Sequence, residues 1–147
     1  MKKLVLILAI LLISTSVSAH QSKEDIINGY RAELEKCDQN RKQTAHEAFS
    51  TAEMIESAYS AVDCYESLIH KIIDQQYTKR ADEHKKALTE YMQASYAISN
   101  LVYQTTDACD TTGCGTAKVV IGKSTAANKT REIVEDYLRA LNANLTD

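Results

Sequence analysis

The sequence has no proline and no tryptophan, one phenylalanine (Phe49) and four glycines in 147 residues. Without proline nothing forces a helix to break. Three of the glycines, Gly113, Gly115 and Gly122, fall within ten residues, so most of the chain is open to long helices. Motifs that carry chemistry are missing as well. There is no phosphate-cradling glycine loop, no C-x-x-C and no C-x-x-C-H, and His46, His70 and His84 lack metal-ligand spacing. No nucleophile–base pair can be read, so an enzyme is not expected, nor any cofactor or metal. Glu132 and Asp136 lie one helical turn apart, but nothing fixes their surroundings, and a solvated helix face is the simpler reading.

The start of the chain is distinctive. Met1-Lys2-Lys3 precedes an unbroken apolar run from Leu4 to Ile13, and Val17-Ser18-Ala19 suits signal peptidase. The run is too short to cross a bilayer with margin, and no cysteine near the cut offers a lipid anchor. This predicts a signal peptide over 1–19, a single domain over 20–147, and a periplasmic or secreted protein without a stable membrane anchor. An N-terminal His20 can chelate copper only with a second well-placed histidine, which the spacing does not supply. Residues 20–147 hold fifteen Lys and Arg against twenty Asp and Glu, a net charge of −5. That balance argues against nucleic acid and anionic lipid and suits a basic protein partner.

Four cysteines, Cys37, Cys64, Cys109 and Cys114, all follow the leader. An even count in an exported chain reads as two disulfides, with three possible connectivities. We expect Cys37–Cys64 and Cys109–Cys114, worth about 3.6 and about 2.2 kcal/mol on chain-entropy grounds.

The hydrophobic pattern predicts an all-α, disulfide-stapled bundle of about four helices. The first spans about 23–37, with Ser22 and Asp25 as a capping box and Ile26, Ile27, Tyr30, Leu34 and Cys37 on one face. The polar stretch Asp38–Gln43 reads as a connection. The second helix spans about 51–77, opened by Ser50 and Glu53, with a stripe through Met54, Ala58, Ala61, Tyr65, Leu68 and Ile72. The third spans about 79–106, where Ala81, His84, Leu88, Tyr91, Ser95, Ile98, Val102 and Thr105 form a heptad seam. Tyr65, Tyr77, Tyr91 and Tyr137 are expected in the core, and His84 at its boundary with a hydrogen-bond partner. Asp107–Thr116 reads as a loop pinned by its own disulfide. The fourth helix spans about 117–142. Lys118–Gly122 has strand composition, but a lone strand lacks a partner, so helix or turn is favoured.

The order of these features resembles the LprI-like lysozyme-inhibitor domain family of exported bacterial proteins. The resemblance is carried by Thr51-Ala-Glu53-Met54 opening a helix with Ala58-Tyr59, by Leu68 and Tyr77, by Asp107 and Cys109 before Gly115-Thr116, and by Thr130-Arg131 before Val134 and Leu138. It covers roughly Thr51 to Leu138. The family often has a cysteine where Ser57 stands and a tryptophan near Tyr96, and this chain departs from both. The resemblance implies a small helical periplasmic or secreted domain, some of whose relatives are linked to inhibition of lysozyme. We therefore expect a protein partner, lysozyme or another peptidoglycan hydrolase. The contact residues expected are Asp107, Asp110, Thr111 and Thr112 on the pinned loop, with Arg131 as its support. The alternative expectation is a structural or stress-adaptor protein that self-associates through an exposed apolar stripe.

Overall fold

The computed structural model describes residues 22–105 and 114–143, with backbone alone for 98–105 and 114–119. Four helices follow one another among the described residues: α1 (Lys23–Glu47), α2 (Thr51–Gln76), α3 (Ala81–Thr105) and α4 (Cys114–Asn142). A 3-10 turn over Thr78–Arg80 joins α2 to α3, and no strand occurs among these residues. The architecture is the expected all-α bundle, and it carries the expected staple. Cys37 on α1 is bonded to Cys64 on α2, with their Cα atoms 5.8 Å apart. The predicted leader, His20, Cys109 and the pairing of Cys109 with Cys114 lie outside the described residues.

Two capping boxes set the helix starts. The Ser22 hydroxyl accepts from the Asp25 N–H while the Asp25 carboxylate accepts from the Ser22 N–H. Ser50 and Glu53 repeat the arrangement at the start of α2. Each box satisfies N–H groups that have no partner within the helix.

Side-chain contacts fix the topology. Tyr30 donates to Gln75 across α1 and α2 at 2.8 Å, and Lys23 donates to the Asn142 carbonyl at the end of α4 at 3.0 Å. Helix α1 therefore runs antiparallel to both. His84 meets Tyr137 at 2.9 Å and Thr130 donates to the Met92 sulfur at 3.6 Å, so α3 is antiparallel to α4. Lys123 lies beside Tyr59 and Tyr137 beside Tyr77, so α2 and α4 run parallel. These two form the centre. Helices α1 and α3 flank the pair and share no contact with each other among the described residues. At one end the central pair is filled by small buried residues: Ser57, Ala58 and Ala61 on α2, and Gly122, Ala126 and Ala127 on α4. Toward the other end Tyr65, Ile69, Ile72, Ile73 and Val134 fill the core.

Four expectations need correction. The polar stretch Asp38–Gln43 is helix, not a connection. Asp38, Arg41 and Thr44 continue the Leu34–Cys37 stripe with polar side chains, each of which finds a partner across the bundle. Asp38 binds Arg131, Arg41 donates to Asn128 at 2.7 Å, and the Thr44 hydroxyl lies 2.7 Å from that of Ser57. The loop ends sooner than expected, because α4 begins at Cys114 and includes Gly115, Thr116 and the strand-like Lys118–Gly122. A helix pairs that backbone internally, whereas a lone strand would not. Finally, the α3 seam does not hold a strict heptad. Tyr91 is 45 % exposed while its neighbour Met92 is 8 % exposed. A straight α-helix drifts about 20° per heptad from a 3.5-residue repeat, and the drift replaces Tyr91 with Met92 on the buried face. Met54 is likewise exposed rather than part of the α2 stripe.

Candidate interaction surface

Of the five contact residues expected from the sequence, Asp107, Asp110, Thr111 and Thr112 lie outside the described residues. Arg131 sits on α4 against α1, and the loop it was expected to support lies outside the described residues. Its Nε donates to both Asp38 carboxylate oxygens, at 2.9 and 3.0 Å, and Nη1 donates to Glu135 at 2.7 Å. Tyr65, fully buried on α2, donates to the same Asp38 oxygen at 2.7 Å. Asp38 thus gathers α1, α2 and α4 at one point, one residue from the disulfide. Burial pushes its carboxyl up. Hydrogen bonds from Arg131 and Tyr65, with the charges of Arg131 and Lys42, outweigh that and hold it below the ordinary carboxylate range. The Arg131 guanidinium is correspondingly raised, chiefly by Asp38.

A carboxylate depressed in the folded state contributes stability that is complete above its unfolded pKa, about 3.9. That stability is lost as pH falls through the folded value. In urea titrations between roughly pH 5 and pH 2, Asp38→Asn is therefore expected to flatten the acid-side loss of stability relative to the parent. At neutral pH the variant should be less stable by about 1 kcal/mol, since the pair is only partly buried. An unchanged acid slope would remove Asp38 from the acid response.

The acidic pair Glu132 and Asp136 is engaged locally, Glu132 with Lys129 at 2.6 Å and Asp136 with Arg139. Among the described residues no group of three or more His, Cys, Asp or Glu is placed to hold a metal ion. His84 belongs to an aromatic cluster with Tyr77 and Tyr137, its ring centroid 4.6 Å from that of Tyr77.

The most unusual surface lies elsewhere, and the sequence signal for it is a gap in the basic residues. Between Lys42 and Lys71 there is no lysine or arginine for 28 residues, while Glu47, Glu53, Glu56, Asp63 and Glu66 fall in that stretch. The net charge of this segment, −5, equals that of all of residues 20–147, so the remainder is neutral. The segment forms the end of α1, the turn Ala48–Ser50 and the first three-quarters of α2. Beside the turn a groove of about 290 Å³ is lined by Thr44, Glu47, Glu53, Glu56, Ser57 and Ser60. From the turn projects Phe49, 93 % exposed. Its backbone N–H donates to Glu53 at 2.8 Å, and Glu53 also accepts from the Ser50 N–H and hydroxyl at 2.8 and 2.9 Å. These bonds, that from Phe49 foremost, hold the Glu53 carboxyl below its ordinary range.

The acidic face continues along α2 to a pair of tyrosines. Lys123 of α4 places its ammonium 4.4 Å from the Tyr59 ring centroid and 5.1 Å from that of Tyr96. The Tyr96 hydroxyl is raised, first by burial and then by the charges of Glu66, Tyr59 and Asp63. A cation over tyrosine faces is attracted by the ring quadrupole, by about 0.5–1 kcal/mol at an exposed site. The chain thus already places a cation of its own at the edge of this surface.

Among the described residues no helix is long and apolar enough to cross a membrane. Compared with protein-family models, with curated proteins and with solved structures, the chain shows no significant match to any.

Proposed function

We propose that this chain is an exported, non-catalytic binding protein of the periplasm or the extracellular space, whose target is a basic cell-wall hydrolase, lysozyme being the type case. One observation supports the reading above the rest: the whole negative excess of residues 20–147 is concentrated in residues 43–70, on a helical hairpin closed by the Cys37–Cys64 bridge. Opposed charge concentrated on one face steers a basic partner and fixes its orientation, speeding association more than it deepens affinity. A hairpin held by a disulfide has little freedom left to lose on binding. The disulfide suits an oxidising compartment, in keeping with the leader-like first nineteen residues.

The test is calorimetry and kinetics of the oxidised protein against lysozyme and a panel of basic peptidoglycan hydrolases at 50 and 500 mM salt. Binding is expected, with an association rate that falls about tenfold or more across that range because the Debye length shrinks from roughly 14 to 4 Å. No binding to any member, or binding indifferent to salt, would overturn the reading.

A further inference from the structure

The geometry points to Phe49 as the anchor of the docking surface: its ring enters an apolar recess of a basic protein, while the carboxylates around it meet lysine or arginine at the rim of that recess. This inference rests on the reading of the chain as a binder of a basic target, and it adds where and how the contact is made.

The chain has one phenylalanine and leaves it almost wholly in water. Local structure offers the ring a shelter that it does not take. Phe49 precedes the N-cap Ser50, and Met54 stands at the fourth helical position, the pair that usually folds together as a hydrophobic staple. Here Phe49 is 93 % exposed and Met54 is 42 % exposed, so the two large apolar side chains stand open at one corner of the molecule. Neither belongs to the core cluster.

The corner is also rigid. The turn between α1 and α2 is three residues long, and one carboxylate, that of Glu53, accepts from the backbone of Phe49 and from both donors of Ser50. With the backbone held, docking needs to freeze only the two torsions of the ring, so the ordering cost is small. Aromatic rings are enriched in the buried centre of interfaces, ringed by polar groups. Phe49 is such a ring, projecting from a turn beside a groove lined by Glu47, Glu53 and Glu56.

The charge chooses the occupant. A second copy docked symmetrically on this corner would set Glu47, Glu53 and Glu56 against the same three carboxylates, which costs affinity. An anionic membrane surface is repelled for the same reason. A basic protein gains both from burial of the ring and from the opposed charge.

That Phe49 is unique supplies the probe. Protein grown with 4-fluorophenylalanine carries a single fluorine, at residue 49. On titration with lysozyme, and with the other basic hydrolases in turn, the fluorine resonance is expected to shift and broaden. Phe49→Ala is expected to weaken binding at least tenfold while thermal unfolding stays unchanged. Glu56→Lys is expected to slow association. If the parent protein binds but the resonance is unmoved and Phe49→Ala binds as well as the parent, the anchor is elsewhere, and the reading as a binder of basic proteins stands without it. A resonance that shifts with the concentration of this protein alone shows a second copy covering the ring, and overturns the inference. Failure of the parent to bind any member of the panel overturns the functional reading and this inference together.

Discussion

Replacing both Cys37 and Cys64 with alanine is expected to lower the free energy of unfolding by about 3.6 kcal/mol, the chain-entropy value for closing this loop. In urea the midpoint should fall and the slope should rise, because the unfolded chain without its cross-link opens further, and the melting temperature should drop by on the order of 10 °C. The reason for a large effect lies in α1. This 25-residue helix buries only Ile27, Tyr30, Leu34 and Cys37, whereas α2 buries nine side chains. Its other attachments are polar and partly exposed, among them Lys71 to Glu33, Tyr30 to Gln75, Arg41 to Asn128, and Asp38 to Arg131 and Tyr65. Exposed pairs of this kind contribute little each, so the covalent link carries much of the docking of α1. Alanine is the right replacement because Cys37 is buried and serine would place a hydroxyl there. A loss below about 1 kcal/mol would show that the buried side chains and hydrogen bonds hold α1 without the bridge.

Met92→Ala is expected to cost roughly 2–5 kcal/mol, and Tyr91→Ala to stay within about 0.5 kcal/mol. The two residues are neighbours on α3, and a heptad reading of the sequence assigns them the opposite ranks. Met92 is buried in the main cluster, where its sulfur accepts from the fully buried Thr130 of α4. Thr130 also donates to the Ala126 carbonyl at 2.9 Å, so losing the sulfur does not leave its hydroxyl without a partner. The cost in Met92→Ala is therefore mainly the void and the lost burial. Tyr91 is nearly half exposed and makes no part of that cluster. Paired urea titrations decide the matter, and a costlier Tyr91→Ala would restore the strict seam.

Much of the fold can be read from the residues because local signals and packing agree. Ser50 and Glu53 mark the start of α2, the apolar steps from Ala58 to Ile72 mark its buried face, and Cys64 lies beside that face within reach of Cys37. The reading fails where polar residues do the packing. Asp38, Arg41 and Thr44 look like a solvated linker until their partners on α4 and α2 are known, and those partners are far away in sequence. The α3 seam fails for another reason, since a drift of a fraction of a turn decides between adjacent residues. The acidic face was half legible. The gap in lysine and arginine from 43 to 70 can be counted from the sequence, but only the folded hairpin shows that its turn carries an uncovered ring. A phenylalanine beside an N-cap ordinarily reads as a staple.

The bridge also changes what a cut in the backbone means. Residues 37 and 64 are joined by sulfur, and the turn bearing Phe49 lies between them. Residues 37–64 are thus a closed ring of chain, and the exposed bend is where a protease reaches it first. A break at that bend opens the ring without parting the molecule: both arms stay tethered, and only a reductant lets them separate.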